Sequence, residues 1–427
     1  MRLLTSLLFL AYSASASLAT DKINLSQLSE MALKDHPRIA AMKADWEAAE
    51  ARRAMALAAF RPQLSLNGYA ASGNGSMIFP NGVEPFNYSL LPREGAATAN
   101  ATFMWKLYSF GRDKALGDAG AAEVRSQNAA VNVESLDVLA SLRMAFAEAL
   151  LKQDAFAAQQ ASVDSAREVE KTTQLRFEAG KVPEAFVLRA KAETAKAERD
   201  LAMAKAEMVG ARSNVWEAAG LGQDSDHELG DWDIPLNAPA TEKEAIATAL
   251  QKRPELAAFQ EQLNAAQARG SAADRAKLPE LNLMAMNDFM GSSGMRGENG
   301  FKAGLILSFP LGDGGERSAE VKEAKAMAKR LESEIRGLRN RVSAEVATAW
   351  AEAQAAEPVR AAAQAELNAS EEAYRIALIR YQEGKSILAE LTDSRSQLTQ
   401  ARLAVAAASA YQRKAWAKLA RATGSNR

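Results

Sequence analysis

Over most of the chain, apolar residues recur every three to four positions among Ala, Glu, Lys and Arg, the period of a helix with one buried stripe. Two such stretches, Leu25–Phe60 and Glu242–Lys277, are each closed by a proline, Pro62 and Pro279. Two far longer ones follow, about Asp113–Ala179 and about Glu316–Glu383. A Gly-Lys turn ends each, at Gly180-Lys181 and Gly384-Lys385, and a last helix returns over Glu184–Ala219 and Ile387–Ala422. A helix of ~67 residues is on the order of 100 Å long at ~1.5 Å per residue. Such a helix needs antiparallel partners along its length, as in a coiled coil. Pro358 lies inside the second long stretch and predicts a kink with no counterpart in the first.

Between the helices the period changes to two. Leu64, Leu66, Gly68 and Ala70 alternate with Gln63, Ser65, Asn67 and Tyr69, and from Ala97 to Tyr108 the residues Ala99, Ala101, Phe103, Trp105 and Leu107 alternate with more polar ones. Leu281, Leu283 and Ala285 alternate with Asn282, Met284 and Met286, and the odd positions from Phe301 to Phe309 are all apolar. These patterns predict strands over about 62–72, 96–109, 280–290 and 300–310, each with one apolar face and each long enough to cross a bilayer. Four strands in a soluble sheet would show the same alternation. In a membrane, four strands cannot close a barrel, and open edges are not tolerated in lipid, so the chain would have to oligomerise.

The chain is also duplicated. "ALKDHPRIAA" (Ala32–Ala41) recurs as "ALQKRPELAA" (Ala249–Ala258), and Pro62-Gln63-Leu64-Ser65-Leu66 recurs as Pro279-Glu280-Leu281-Asn282-Leu283, both at an offset of 217. "LRFEAGKV" (Leu175–Val182) recurs as "IRYQEGKS" (Ile379–Ser386) at an offset of 204, which also relates Gly220 to Gly424. The first half therefore carries extra residues between the markers, and the Gly/Pro/Asn-rich stretch Gly73–Gly95 is the place for them; its counterpart Gly291–Gly300 is shorter. The expected organisation is a repeat over 20–222, an inter-repeat linker over 223–241 and a second repeat over 242–427.

Residues 1–19 have the pattern of a secretory signal peptide, with Arg2, the apolar run Leu3–Tyr12, and small residues at Ala14-Ser15-Ala16 and Ser17-Leu18-Ala19. No stretch is apolar over the ~20 residues that a spanning helix needs. Lys+Arg 52 against Asp+Glu 53 gives no basic excess for nucleic acid. The absence of cysteine excludes disulfides, thiolate metal sites and a lipidated N-terminal Cys, and only two histidines, His36 and His227, are present. No nucleotide-binding or zinc motif and no catalytic constellation is present, so neither an enzyme nor a cofactor is expected.

The duplicated helix–strand–strand–long helix–helix plan, the "A-L-x-x-x-P-x-[IL]-A-A" openings, the "P-x-L-x-L" strand starts and the "R-[FY]-x-x-G-K" turns, each present twice and in order, resemble the TolC family of outer-membrane efflux proteins. The resemblance covers the chain beyond residue 19. It implies a mainly α fold with a small transmembrane β part, in a homotrimer whose twelve-stranded barrel sits in the lipid bilayer of the outer membrane above a periplasmic helical tunnel. It also implies an inner-membrane pump and a periplasmic adaptor docking at the tunnel's lower end, at tips made by Arg176, Phe177, Gly180, Lys181, Arg380, Tyr381, Gly384 and Lys385. In the family, acidic residues past the second tip line a constriction that favours cations, and the matching stretch Gly384–Ser394 puts Glu390 and Asp393 there. Ser386 stands where some members carry an arginine that helps to lock the closed state, so a lock of that kind is not expected. Such a duct would carry small toxic compounds or metal cations. The same architecture serves as the exit duct of one-step (type I) protein secretion. A periplasmic coiled-coil adaptor or scaffold without a barrel is the alternative of another class.

Other candidates carry less. His36 corresponds to Arg253 of the second half, as an exposed helix-end residue. The acidic run Asp224–Asp233 departs from a calcium loop, with its glycine one position late, Pro235 where the loop should continue and no terminal Glu, and fits a polar linker. Met284, Met286, Met290 and Met295 suit flexible apolar packing and lipid contact, with soft-metal contact as the sharper alternative.

Overall fold

A computed structural model describes residues 22–71, 96–222, 228–236, 239–292 and 295–425. The proposed signal segment, the stretch Gly73–Gly95 and Asp224–His227 lie outside the described residues. In chain order the elements are β1 (Lys22–Ile23), α1 (Leu25–Asp35), α2 (Pro37–Ala58), β2 (Gln63–Ala71), β3 (Ala96–Tyr108), α3 (Arg112–Glu178) and α4 (Glu184–Ala219). Then come β4 (Glu228–Leu229), α5 (Glu242–Lys252), α6 (Pro254–Arg275), β5 (Glu280–Ser292), β6 (Met295–Ser308), α7 (Glu316–Gln382) and α8 (Leu388–Thr423). The four helices of each half match in length at 11, 22, 67 and 36 residues. The offset between the halves changes from 217 to 204 between the first strand of each pair and the following long helix.

The opening helix of each half is broken where one continuous helix was expected. The residue before a proline is driven out of the helical region, and proline suits the first position of a new helix. His36 (ψ 128°) and Arg253 (ψ 120°) are therefore extended, and α2 and α6 restart at Pro37 and Pro254. Both residues are buried, which corrects the expectation of an exposed His36. Burial, followed by the charge of Arg38, lowers the His36 pKa below its usual value. Its Nδ1 accepts the Arg38 N–H at 3.1 Å and so caps α2. Gly220 ends α4 at φ +73° against this elbow, where a β-carbon would lie 2.8 Å from both His36 and Pro37. Gly424 ends α8 in the same way against Lys252 and Arg253.

The long helices are the frame. The first part of α3 packs against α2 and α6, and its second part pairs with α4. In the other half α7 packs against α6 and pairs with α8, and α8 also lies on α3. Alanine is the commonest buried residue of α3, α4, α7 and α8, which lets helices approach closely. The largest apolar cluster sits at the first elbow, where Leu25, Leu28, Ile39, Val138, Leu142, Phe146 and Trp216 are fully buried. The described part of the linker belongs to it. β4 pairs in parallel with β1, the Ser26 N–H donates to Asp233 at 3.0 Å, and Trp232 lies on Phe146. That part of the linker is docked rather than merely polar. Pro358 lies within α7, which continues as helix on both sides of it.

The sheet is an antiparallel meander in the order β2-β3-β5-β6. Its register sets Leu64 beside Phe103, Phe103 beside Ala285, and Ala285 beside Ala303, with Leu66, Trp105, Leu283, Leu305 and Leu307 on the same face. No described element covers that face, and Leu66 is 78% exposed. The other face carries Gln63, Ser65, Asn100, Thr102 and Lys302. Met284 and Met286 stand there, beside Met104 and Thr102, and not on the apolar face where lipid contact was expected. Gly291–Gly300 is strand over most of its length, because its backbone groups find partners across the β5–β6 hairpin whatever the side chains are. Within the described residues, β2 and β6 each keep one unpaired edge, so the sheet is an open fragment.

Candidate functional site at the helical tips

The two "R-[FY]-x-x-G-K" turns close the long helices in the same way. Gly180 (φ +69°) and Gly384 (φ +78°) adopt the left-handed conformation that lets a helix stop. The Lys181 N–H donates to the Arg176 carbonyl at 2.8 Å, and the Lys385 N–H donates to the Arg380 carbonyl at 2.8 Å. These are the long-range bonds of a Schellman cap, and they leave Lys181 and Lys385 exposed at the turns.

The aromatic residues of the two copies have opposite environments. Phe177 is exposed. Tyr381 is only 2% exposed, inside a cluster with Val169, Ala190, Leu388 and Leu391. Its hydroxyl shares a 2.8 Å hydrogen bond with Thr173 of α3, and its carbonyl accepts from Arg176 Nη1 at 2.6 Å. The Arg176 guanidinium lies 4.8 Å from the Tyr381 ring centre. Further up, Ser165 bonds Tyr374, and Arg395 of α8 reaches Glu193 of α4 at 3.1 Å. The hairpin α3–α4 is thus fastened to α7–α8 by polar groups set in apolar surroundings, where such bonds are costly to leave unmade. The "R-Y" pair is legible as a motif, but Thr173, Glu193 and Arg395 were not singled out in the sequence. Each is a polar residue interrupting an otherwise small or apolar helix stripe, and that is the signal that could have found them.

Glu390 and Asp393 lie in the first two turns of α8, both exposed. Glu390 accepts from Ser386 Oγ at 2.7 Å and lies 3.4 Å from Arg380 Nη1. Ser386, which has no charge to form a lock, instead orients this carboxylate. Asp393 accepts from Gln397 Nε2 at 2.9 Å. The two acids therefore share one end of the molecule with the turns and have no partner on α3 or α4 among the described residues.

Three solved outer membrane proteins show the same fold. The Campylobacter jejuni outer membrane channel CmeC aligns with a TM-score of 0.78 at 16% identity, covering 94% of this chain and 85% of that one. The Vibrio cholerae outer membrane protein VceC aligns at 0.77 and 19% identity over 94% and 96%. The Neisseria gonorrhoeae outer membrane channel MtrE, in its open state, aligns at 0.77 and 19% identity over 94% and 89%. No curated protein matches the chain. The sequence model of the outer membrane efflux protein family matches residues 28–221 and 245–425, in both halves and over most of the chain, and the protein belongs to that family.

Proposed function

We propose that three copies of this chain form one outer-membrane channel, each giving four strands to a twelve-stranded barrel and its helices to a periplasmic tunnel. The observation that carries this is the sheet, which among the described residues is apolar and uncovered on one face and unpaired at both edges. Lipid suits such a face, and pairing β6 of one copy with β2 of the next would remove every edge. The channel is the exit duct of a tripartite efflux pump for small toxic compounds or metal cations. It is passive, and an inner-membrane pump supplies the energy through a periplasmic adaptor.

The adaptor docks at the tips, on surface that includes Arg176, Phe177, Gly180, Lys181, Arg380, Gly384 and Lys385. Tyr381, turned inward, fastens the two hairpins of one protomer instead. Glu390 and Asp393 from three copies form rings of negative charge at the tunnel's narrow end. The assembly is tested by light scattering, corrected for detergent, on protein extracted from outer membranes in mild detergent. Three protomers per particle are expected. A monomer in the soluble periplasmic fraction would overturn the barrel and leave a coiled-coil scaffold.

A further inference from the structure

The junction between sheet and tunnel holds a group of cations that the channel function does not use. Arg112 opens α3, Arg275 closes α6 and Arg317 lies in the first turn of α7. The short connections bring all three to one cavity of about 240 Å³, lined also by Glu280, Ser308 and Phe309. Little there neutralises them. Glu280 is taken by Lys106 at 2.8 Å. Arg275 donates to the Gly111 carbonyl at 3.0 Å and keeps its charge. The Arg317–Asp313 contact is long at 3.5 Å, and that carboxylate mainly accepts the backbone N–H groups of Gly315 and Arg317. Arg112 has no carboxylate partner among the described residues.

The surroundings of the cavity are apolar and exposed. Phe309 and Leu278 line it, and Leu311, just beyond, is 88% exposed. Beside Arg112, Tyr108 and Phe110 meet edge to face at 4.8 Å. Phe110 holds φ +51°, a conformation a bulky side chain rarely adopts, while its ring stays exposed. Exposed aromatics at the end of an apolar strand face mark the level where a bilayer meets water. A guanidinium is the side chain best matched to a phosphodiester, because its fork of donors is planar and its charge is fixed.

We propose that this cavity is a headgroup site for an anionic phospholipid of the periplasmic leaflet. Arg112, Arg275 and Arg317 hold the phosphate, and the acyl chains run up the apolar sheet face past Phe309, Leu307 and Leu305. Charge complementarity and the apolar rim together select a lipid, since a free phosphate would leave the rim in water. The site rests on the barrel proposed above.

The test is native mass spectrometry of the detergent-extracted protein titrated with phosphatidylglycerol, phosphatidylcholine of the same chains, or glycerol phosphate. The wild type should retain phosphatidylglycerol over phosphatidylcholine and ignore glycerol phosphate. The triple variant Arg112→Gln, Arg275→Gln, Arg317→Gln should lose that preference, at about fivefold per arginine. Arg112→Gln alone removes a side chain with no described partner, and it gives the one-arginine loss even if the triple variant does not assemble. A trimer that retains both lipids equally, or equal retention by wild type and the Arg112→Gln variant, overturns the site and leaves the channel standing. Uptake of glycerol phosphate as tight as that of the lipid makes it a soluble-anion site and overturns the lipid. Absence of a trimer overturns the barrel itself.

Discussion

Glu390 and Asp393 hold their charge in different company, and this sets what their removal does. Glu390 sits between Ser386 and Arg380, whereas Asp393 is bonded only by the neutral Gln397 among the described residues. Exposed pairs of this kind contribute at most about 1 kcal/mol to stability, so alanine at either position leaves folding intact. Conduction is another matter if three copies face one axis. A carboxylate about 8 Å from a passing ion acts in water with about 0.5 kcal/mol, and three of them sum to a preference on the order of tenfold. Glu390→Ala with Asp393→Ala should therefore lower the cation-to-anion permeability ratio in planar bilayers, on the order of tenfold per ring once salt screens the charges. Glu390→Ala also releases the positive Arg380 and should have the larger effect. An unchanged reversal potential would place both residues outside the conduction path.

The elbows are a matter of whole elements, because each joins two short helices to the end of a long one. Gly220 must take φ +73°, and a β-carbon there would stand 2.8 Å from His36 and Pro37. Gly220→Ala should cost about 2–3 kcal/mol, from left-handed strain together with overpacking, and lower the thermal midpoint of the purified protein. A midpoint within error of the wild type would mean that the elbow yields freely. Much at this scale was legible beforehand: both long helices, both Gly-Lys turns, four strands and the offset between the halves came from periodicity and repeated words. Two features were not. The helix break before Pro37 and Pro254 was hidden because the apolar stripe runs on through it, although the restriction on a residue preceding proline predicts it. The strand character of Gly291–Gly300 was hidden because backbone pairing, not side-chain alternation, sustains it. The difference between Phe177 and Tyr381 is of another kind. The motif is the same in both copies, and only the packing of one half on the other makes the second buried and the first exposed.

At the scale of the molecule, the two halves are held together along α3 by a file of polar contacts. Arg421 pairs with Asp137, Lys414 with Glu148, Tyr374 with Ser165, and Tyr381 with Thr173. Those nearest the tips fix the hairpin α7–α8 against α3–α4. Loss of one buried hydrogen bond costs about 1 kcal/mol, about a fivefold shift between a fastened and a released arrangement. Tyr381→Phe combined with Thr173→Val removes the pair without leaving an orphan hydroxyl. If the proposed channel forms, that variant should conduct more in bilayers, or spend more time in its larger conductance level, while the mass of the detergent-extracted particle stays unchanged. Identical conductance would show that the hairpins do not move relative to one another during opening.

The equal helix lengths of the two halves make the chain a ruler. In a coiled pair each added residue turns everything beyond it by about 100°, so a single insertion in α7 would rotate Tyr374 and Tyr381 away from Ser165 and Thr173. The length of the helical frame is therefore quantised. It can lengthen or shorten only in steps that restore the helix face, about seven or eleven residues, taken by both long helices and both return helices at once, whereas the segments between paired strands can drift freely in size. The 67-residue span common to α3 and α7 is in this sense a fixed gauge, about 100 Å long.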